Sequence, residues 1–393
     1  LWVGTAADTG DLLPPVPGLF DLVILDEASH LDQARAAPVL ARARRAMVVG
    51  DPRQLRFVSF VADVDVAATL RRHRLDDRVD IRRVSAFDLA AGAAPVTWLD
   101  EHFRSVPHLI EFSADRFYAG RITVATRHPA NDTRDAIEVV RVTGGPVTDA
   151  VNAVEVDAVL ATVRRLVADG MTGIAVLSPF RAQADALEAA LVDAFPVAEL
   201  ARLGLRAGTV HAFQGSEAHT VVASLGLTDD DSPARIRFVA DPHLFNVLVT
   251  RARERMVVVT SLTRADGLVG DYLAASEAGP QPPAPVDTDH PWTAALAAEL
   301  RRAGLPVRCD YPVGGWTVDL CLGAGTAAVG LVCKVHPGGV AAHRERQRSL
   351  VRAGWRLVDA FASRWAGDPV RAALELGAIH TGPGQPSPPL RST

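Results

Sequence analysis

Residues 22–29 read Leu-Val-Ile-Leu-Asp-Glu-Ala-Ser, so four apolar residues run directly into two adjacent acids. A second run, Ala-Met-Val-Val at 46–49, ends in Gly50-Asp51-Pro52, and Gln54 follows two residues later. Short segments of continuous apolar character are typical of strands that are buried on both faces of a parallel sheet. Ligands of such sheets bind at the carboxyl ends of the strands, so both polar ends are candidate parts of a site.

The same alternation of strand and helix continues to about residue 265. Helical patterns cover Val154–Asp169 and Arg181–Phe195, where apolar residues recur every three or four positions. Together the elements predict an α/β fold with a parallel sheet covered by helices. The predicted strands are Asp21–Leu25, Ala46–Val49, Ile137–Val142, Gly173–Ser178, Ala207–His211, Thr220–Leu225 and Arg255–Thr260.

A Pro-rich stretch at 279–285 (Gly-Pro-Gln-Pro-Pro-Ala-Pro) predicts a linker, to which we assign residues 266–289. A small α/β domain is predicted over 290–380, and the Pro-, Gly- and Ser-rich residues 381–393 are predicted to be a disordered tail. Within the small domain we expect a helix followed by strands and a further helix; the segments are Trp292–Ala303, Val307–Cys309, Trp316–Cys321, Ala328–Val335 and Arg356–Ala360.

The amino-acid composition limits the class of protein and the partners that the chain can have. The 393 residues are 48% apolar and 22% charged, which excludes a disordered or fibrous protein. The net charge of −5 provides no general attraction to nucleic acid, so such binding would depend on local arginine clusters. No apolar run approaches the ~20 residues that span a bilayer, so we expect no membrane partner. The three cysteines, Cys309, Cys321 and Cys333, fit unpaired buried thiols and a cytoplasmic protein.

The acids at 26 and 27 suit nucleotide chemistry. An aspartate can hold Mg²⁺, directly or through water, and a neighbouring glutamate can polarise an attacking water. Gln54 can report the presence of a γ-phosphate through its neutral amide. Two plain structural alternatives stay open at this point: Asp26 and Glu27 can simply begin a loop or cap a helix, and Gly50-Asp51-Pro52 can be an ordinary turn.

Four further segments accompany these two strand ends: Leu-Asp-Glu-His-Phe-Arg at 99–104, Val-Leu-Ser-Pro-Phe-Arg-Ala-Gln at 176–183, Thr-Val-His-Ala-Phe-Gln-Gly-Ser-Glu at 209–217 and Asn-Val-Leu-Val-Thr-Arg-Ala-Arg-Glu at 246–254. In this order and at these spacings, the six blocks resemble motifs II to VI of superfamily 1 helicases. The most similar type is the 1B branch, which includes RNA-surveillance and replication-linked DNA helicases. The resemblance covers residues 1–265.

The resemblance implies two RecA-like P-loop motor domains, the first partial over 1–105 and the second over 106–265. It also implies ATP and Mg²⁺ as cofactors. Asp26 would order Mg²⁺, Glu27 would be the catalytic base and Gln54 would sense the γ-phosphate. Arg104 and Arg251 would be arginine fingers, because phosphoryl transfer spreads charge over oxygens that a planar guanidinium meets bidentately.

By the same resemblance, Gly215 and Glu217 would lie near the nucleotide and Gln214 would link nucleotide state to the nucleic-acid groove. The candidate phosphate contacts along a single strand are Ser178, Thr209 and His211. For His211 a polar role at a strand end is an equal alternative. Arg253 can instead form a surface ion pair with Glu254 or Asp241.

The family's phosphate-binding loop ends in Gly-Lys-Ser or Gly-Lys-Thr and needs its lysine on the β- and γ-phosphates. Lys334 is the only lysine in the sequence, and it lies outside any such motif. We therefore interpret the chain as the C-terminal portion of a motor that lacks this loop, and expect no ATP hydrolysis by residues 1–393 alone.

Residues 290–380 resemble the very-short-patch-repair-like branch of restriction-endonuclease folds, through His290-Pro291-Trp292, residues 315–320, 332–334, 344–348 and 354–356. Such nucleases hold Mg²⁺ with an aspartate and with the acid of a following (Asp/Glu)-x-Lys triplet. Asp319 and Lys334 fit this pattern, but Val332 stands where the second acid is needed. We interpret this as a nuclease-like fold that has lost catalysis and retains DNA binding. Asp319 as a hydrogen-bonding strand-end acid and Lys334 as a solvated lysine are the alternatives.

Three arginines of the nuclease-like region, Arg344, Arg346 and Arg348, are either phosphate contacts or a solvated helix face. The functional prediction is the C-terminal portion of an ATP-dependent helicase or translocase that moves on single-stranded nucleic acid, and the resemblance to the 1B branch implies 5′ to 3′ polarity. DNA is favoured because of the nuclease-like module. The alternative is a non-catalytic nucleic-acid-binding or regulatory remnant. The intact set of Asp26, Glu27, Gln54, Arg104 and Arg251 argues against it, because relics lose catalytic side chains.

Overall fold

The computed structural model describes residues 1–57, 61–76, 79–143 and 147–381. In the first 105 residues, strands β1 and β2 form a two-stranded parallel sheet, with Val23 opposite Ala46 and Leu25 opposite Val48. A small core that includes Leu25 and Ala86 holds the helices against this sheet. The elements are α1 (Ala6–Leu12), β1 (Val23–Leu25), α2 (Gln33–Leu40), β2 (Ala46–Val48), α3 (Asp63–His73), α4 (Ala86–Ala93) and β3 (Glu101–His102).

Residues 106–265 contain a five-stranded, entirely parallel sheet in the order β5-β9-β8-β6-β7. The prediction of an α/β fold with a parallel sheet is confirmed. Strand β4 lies outside this sheet and pairs in parallel with β3. The elements are α5 (Pro107–Tyr118), β4 (Thr123–Val124), β5 (Ile137–Arg141), α6 (Ala153–Ala168), β6 (Ile174–Ser178), α7 (Arg181–Ala194), α8 (Val197–Leu203), β7 (Arg206–Thr209), β8 (Ala218–Ser224), α9 (Pro233–Val239), α10 (Pro242–Val249) and β9 (Ala252–Thr260).

Both faces of this sheet are buried, as continuous apolar strands require. Successive residues of a strand point to opposite faces, so Val176 joins the core on one side and Leu177 the core on the other, and both are fully buried. This burial leaves the loops at the strand ends as the places where polar side chains can act.

The predicted linker needs a correction. Residues 266–289 begin with a helix, α11 (Gly267–Ala278), whose Val269, Tyr272 and Leu273 are buried in the core of the five-stranded sheet. The predicted linker began too early in the sequence. Helix α11 was not recognised because its apolar residues lie all around the helix and give little amphipathic pattern. The irregular connection therefore begins after Ala278, and Val286 within it bridges to the edge of the C-terminal sheet at Cys309.

The C-terminal part forms a four-stranded sheet in the order β10-β11-β12-β13, antiparallel except for the last, parallel pair. Helices α12 and α14 pack on one face around Leu296, Leu320 and Leu376. The elements are α12 (Pro291–Arg302), β10 (Val307–Val313), β11 (Trp316–Leu322), β12 (Val329–Val332), α13 (Gly339–Arg352), β13 (Leu357–Asp359) and α14 (Pro369–Thr381).

The cysteines of this sheet are free and buried, as predicted. Burial raises the pKa of Cys321 to about 11 and that of Cys333 to about 12, so both remain protonated thiols at neutral pH. Thr381 ends α14, and the predicted tail from 382 onward lies outside the described residues. Among the described helices, none has the length and apolar character needed to cross a bilayer.

Candidate nucleotide site at the strand ends

The acids that follow β1 lie in an exposed turn. Glu27 adopts a left-handed conformation (φ +51°), and its N–H donates to Oδ1 of Asp26 at 2.9 Å. The N–H of Ala28 then donates to the carbonyl of Val49 at 2.8 Å, which ties this turn to the end of β2. The carboxylates of Asp26 and Glu27 are therefore exposed to solvent at the carboxyl end of the β1–β2 sheet.

The two strand ends are in direct contact at Gly50. A Cβ atom at this position would lie 2.6 Å from Oγ and 2.9 Å from the backbone nitrogen of Ser29. Such distances exclude any side chain without displacement of the backbone. Glycine at 50 therefore allows the Asp-Glu turn and the Gly-Asp-Pro turn to lie side by side.

Beyond Gly50, a hydrogen-bond network fixes Gln54. Its Nε2 donates to Oδ2 of Asp51 at 3.0 Å, and the same oxygen accepts from the hydroxyl of Tyr118 at 2.5 Å. Asn246 Nδ2 donates to the Tyr118 hydroxyl at 3.1 Å and to the carbonyl of Arg53 at 3.0 Å. The network therefore connects residues 51–54 to α5 and α10.

Arg251 follows α10 and points back into this network. Its side chain is buried, and Nη2 donates to Oε1 of Gln54 at 3.4 Å and to the hydroxyl of Thr250 at 3.2 Å. Nε donates to the carbonyl of Val247 at 3.0 Å, and Nη1 to that of Ser216 at 3.2 Å. Arg251 and Gln54 are both predicted to act on the nucleotide, and they are hydrogen-bonded although they lie 197 positions apart in the sequence.

Arg104 approaches the same place from the loop after β3. Its Nη2 donates to the carbonyl of Thr250 at 2.9 Å, and its Nε lies 3.7 Å from Oε2 of Glu217. Arg253 also contacts Glu217, at 3.1 Å between Nη1 and Oε1. The surface pairs that we considered for Arg253 are therefore wrong, since Asp241 caps α10 and Glu254 pairs with Arg134.

Burial and neighbouring positive charge lower the pKa of the guanidinium groups of Arg251 and Arg104. Burial, with the neighbouring Arg104, lowers the pKa of Arg251 to about 10, against the opposing influence of Glu27. Burial also lowers the pKa of Arg104, and Glu217 opposes this shift. Arg251 stays protonated at neutral pH, and the cleft brings guanidinium groups close to carboxylates, among them Glu27 and Glu217. An arginine in such a place can exchange a carboxylate partner for the phosphate oxygens of a nucleotide.

The loop from 209 to 217 closes the site opposite Glu27. A Cβ on Gly215 would lie 4.0 Å from Oε1 of Glu27, and Gly215 has a left-handed backbone (φ +72°). The amide of Gln214 is buried, and neither its nitrogen nor its oxygen has a hydrogen-bond partner among the described residues. A buried, unpaired amide costs ~1–3 kcal/mol, so Gln214 is poised to accept a partner.

The predicted nucleic-acid contacts differ in exposure. The hydroxyl of Thr209, which is half-buried, accepts from the N–H of Ala212 at 3.2 Å and so shapes the start of this loop. His211 keeps an exposed surface, and the partial desolvation of its ring, together with nearby His30, lowers its pKa. Ser178 is fully buried and its Oγ accepts from the N–H of Phe180 at 3.3 Å. In this conformation Ser178 therefore shapes its turn and is closed to a phosphate.

Comparison with known proteins finds helicases among the similar sequences. A family model described as an AAA domain matches residues 83–263. The probable helicase MAGATAMA 3 of Arabidopsis thaliana is 26% identical over 284 residues, covering 66% of this chain and 32% of that protein. An uncharacterized ATP-dependent helicase, MG140 of Mycoplasma genitalium, is 27% identical over 270 residues, covering 64% and 24%. DNA-binding protein SMUBP-2 of Rattus norvegicus is 24% identical over 285 residues, covering 66% and 27%.

These similarities support a superfamily 1 helicase-like motor domain in this chain. It spans about a quarter to a third of the length of these relatives. Similar solved structures include an arterivirus nonstructural protein 10 helicase in complex with DNA, at 15% identity and a TM-score of 0.31, covering 61% of this chain and 39% of that one. Another is the C-terminal domain of a possible DNA helicase from Lactobacillus plantarum, at 15% identity and 0.28, covering 40% and 86%.

The donor set of the helicase-like domain fits Mg²⁺. Among the described residues no three His, Cys, Asp or Glu side chains group as a metal site. Magnesium in nucleotide sites is usually held by one or two carboxylates together with phosphates and water, so an exposed Asp26 beside Glu27 is a suitable arrangement. When bound, Mg²⁺ supplies charge neutralisation at the phosphates.

Three polar residues of the helicase-like domain were not singled out from sequence: Asp51, Tyr118 and Asn246. Asp51 was considered only as part of a turn, and Asn246 lay within a quoted motif without a role. Tyr118 had no signal, because its partner Asp51 lies 67 positions away. Pairs at such separations are set by tertiary packing, which local patterns do not contain.

The C-terminal domain places its candidate residues around one buried ion pair. Asp319 Oδ2 accepts from the N–H groups of Cys333 and Lys334 at 2.8 and 3.2 Å, and its Oδ1 lies 2.8 Å from Nη1 of Arg346. Both side chains are at most 2% exposed. The interpretation of Arg346 as a phosphate contact or solvated residue is therefore wrong, whereas Arg344 and Arg348 are exposed. Lys334 Nζ pairs with Asp310 at 3.4 Å, and Val332 is buried in β12.

Proposed function

We propose that residues 1–265 provide the nucleotide cleft of an ATP-dependent motor that moves along single-stranded nucleic acid. The observation that carries the proposal is the contact between Arg251 and Gln54, with Glu27 and Arg104 beside it. The two motor regions meet there through side chains suited to phosphate. A change in the nucleotide at this place would alter how the two regions contact each other.

Each cleft residue has a role in this proposal. Asp26 orders Mg²⁺, and Glu27 takes the proton of the attacking water. Arg104 and Arg251 stabilise the charge that spreads over the phosphoryl oxygens, an effect worth ~10³–10⁵ in rate. Gln54 senses the γ-phosphate, because loss of that group would leave its amide with only Asp51 and Arg251 as partners.

Gln214 couples the cleft to nucleic acid in this proposal. Its unpaired buried amide lies between Gly215, which faces Glu27, and the candidate nucleic-acid contacts Thr209 and His211. A partner that satisfies the amide would stabilise one arrangement of this loop. Glu217, which contacts both Arg104 and Arg253, would then be free to move when nucleotide phosphates take its place.

The lysine of the phosphate loop has no counterpart in residues 1–265. We therefore propose that a Gly-Lys-Ser or Gly-Lys-Thr loop from outside the 393 residues completes the site. On this proposal residues 1–393 alone retain the arginine fingers and the base, yet do not turn over ATP.

For the C-terminal domain we propose a nuclease-like fold without cleavage activity. The Asp319 carboxylate is already used by Arg346 and two backbone N–H groups, and Val332 offers no ligand atom. A divalent metal would have to break a buried ion pair to bind there. Exposed Arg344 and Arg348 on α13 are left to contact a nucleic-acid backbone. The resemblance of this domain to DNA nucleases is the ground for proposing DNA over RNA as the track.

The test uses residues 1–393 with fluorescein-labelled single-stranded and duplex 20-mers, followed by fluorescence anisotropy. We expect saturable binding that favours the single strand and weakens as salt rises, because phosphate contacts release counterions. A double substitution, Thr209→Val with His211→Ala, should weaken it, and the exposed control Arg202→Ala in α8 should not. Absence of binding, or equal affinity for the duplex, would contradict the proposal. Turnover of MgATP by the same protein that is lost in Glu27→Gln would contradict the missing-loop part.

A further inference from the structure

The C-terminal domain is seated directly on the helicase-like domain through the segment 123–132. Trp355 Nε1 donates to the carbonyl of Arg127 at 3.0 Å, and the Trp355 ring lies 4.6 Å from the ring of His128. The backbone N–H of Gly314 donates to the carbonyl of Val124 at 2.9 Å. Trp355 is only 3% exposed, so this contact is part of the packed interior of the molecule.

One buried carboxylate anchors the contact. Asp132, on the motor side, accepts from the hydroxyl of Tyr311 at 2.6 Å and pairs with Nη1 of Arg308 at 2.6 Å. The guanidinium of Arg308 also stacks on the Tyr311 ring at 4.6 Å. Both donors come from β10 of the C-terminal domain. A buried carboxylate with two such donors is costly to separate, because separation leaves polar groups unpaired.

The same segment is hydrogen-bonded to the loop that carries Arg104. The N–H of Thr123 donates to the carbonyl of Asp100 at 2.7 Å, and the N–H of Ala125 to that of His102 at 2.9 Å. The Thr126 hydroxyl donates to the carbonyl of Ser105 at 2.6 Å. Residues 123–126 therefore lie between the C-terminal domain and the loop 100–105.

A second contact reaches this loop without an intermediary. The guanidinium of Arg352, at the end of α13, lies over the ring of Phe103 at 4.5 Å from its centroid. Phe103 immediately precedes Arg104. A cation–π contact at an exposed position is enough to shift the population of a loop about 2- to 5-fold.

We propose that the C-terminal domain is a positioning element for Arg104: its docking on segment 123–132 and its Arg352–Phe103 contact hold the loop 100–105 in the conformation that faces the cleft. Binding events on the C-terminal domain would then alter the placement of the finger. The importance of that placement for catalysis rests on the proposed function. The contact between the C-terminal domain and the loop 100–105 does not depend on the proposed function.

The test is hydrogen–deuterium exchange on residues 1–393 without nucleotide, so that its result is independent of any ATP chemistry. Arg352→Ala should raise the exchange rate of amides in 100–106 about 2- to 5-fold, the equivalent of the cation–π contact. Arg352→Lys retains a cation over the ring and should restore protection. Arg371→Ala, an exposed arginine of α14 in the same domain, is the control and should leave exchange unchanged.

A stronger perturbation removes both donors to Asp132, through Tyr311→Phe with Arg308→Met. Exchange should then rise at least ~10-fold in 123–132 and also in 100–106, while α6 stays protected. Exposure of 123–132 without any change at 100–106 would overturn the proposal, as would equal exchange in Arg352→Ala and wild type. If the double variant fails to fold, the Arg352 series decides alone.

Discussion

At the scale of single residues, the side chains that we propose for phosphate chemistry were chosen from sequence, and their hydrogen-bond partners could not be. Arg251, Gln54 and Glu27 stand out because motif order identifies them. Their immediate surroundings were invisible, because Tyr118 meets Asp51 and Asn246 meets Arg53 only after distant segments pack. The unexpected Arg346–Asp319 pair has the same origin, since a helix brings a charge to a strand end that sequence spacing does not reveal.

That buried pair makes a prediction about stability. Asp319→Ala should lower the free energy of unfolding of the C-terminal domain by ~3–5 kcal/mol, because it leaves Arg346 charged, buried and unpaired. Replacement of both residues, Asp319→Leu with Arg346→Met, should cost much less than the sum of the single changes. Denaturant titration of each variant measures this. Exposed Arg344→Ala is the control, and a single-variant cost no larger than the control's would show that the pair is unimportant.

His102 gives a pH dependence. Its Nε2 accepts from the N–H of Ser105 at 2.8 Å, and burial, with Arg104 nearby, lowers its pKa to about 4 from 6.5. The folded state thus favours the neutral ring, so its contribution is complete above pH 6.5 and is lost as pH falls toward 4. Between pH 7 and 4.5 the wild type should lose ~2–3 kcal/mol more stability than His102→Gln. Parallel pH profiles of the two proteins would disprove this.

At the scale of elements, the strands of the five-stranded sheet were predicted within three residues at each end, because most of them are short apolar runs between polar turns. Helix α11 was missed, since the Pro-rich stretch beyond it dominated the local pattern. The close contact of the β1 and β2 turns also could not be predicted, because the sequence does not reveal which atoms face Gly50. Strand register and close backbone contacts depend on how the elements pack, which local sequence patterns do not contain.

Gly50 provides the prediction at this scale. Gly50→Ala should destabilise the first motor region by ~1–3 kcal/mol, since its Cβ would overlap the backbone and hydroxyl of Ser29. The matched control is Gly92→Ala in α4, where a Cβ meets nothing within 4 Å and alanine should be neutral or slightly stabilising. Thermal melts of both variants test this. Equal melting temperatures would mean that the two turns separate easily.

At the scale of the whole molecule, three units share one chain, and their contacts converge on the loop 100–105. Arg104 meets Thr250 and Glu217 of the second motor region on one side, and Phe103 meets Arg352 of the C-terminal domain on the other. The motif order predicted the cleft from sequence. The contact of the C-terminal domain with it could not be predicted, because Asp132 and Tyr311 belong to no motif and the motif segment 354–356 does not reveal what Trp355 packs against.

The most direct test of the central claim is ATP hydrolysis, stimulated by single-stranded DNA, in a polypeptide that carries a Gly-Lys-Ser or Gly-Lys-Thr loop ahead of Leu1. We predict turnover that falls at least ~10³-fold in Arg251→Ala and remains unchanged in Arg202→Ala, because a guanidinium at the phosphates is worth that factor. Turnover that survives Arg251→Ala at the wild-type rate would contradict the assignment of this cleft.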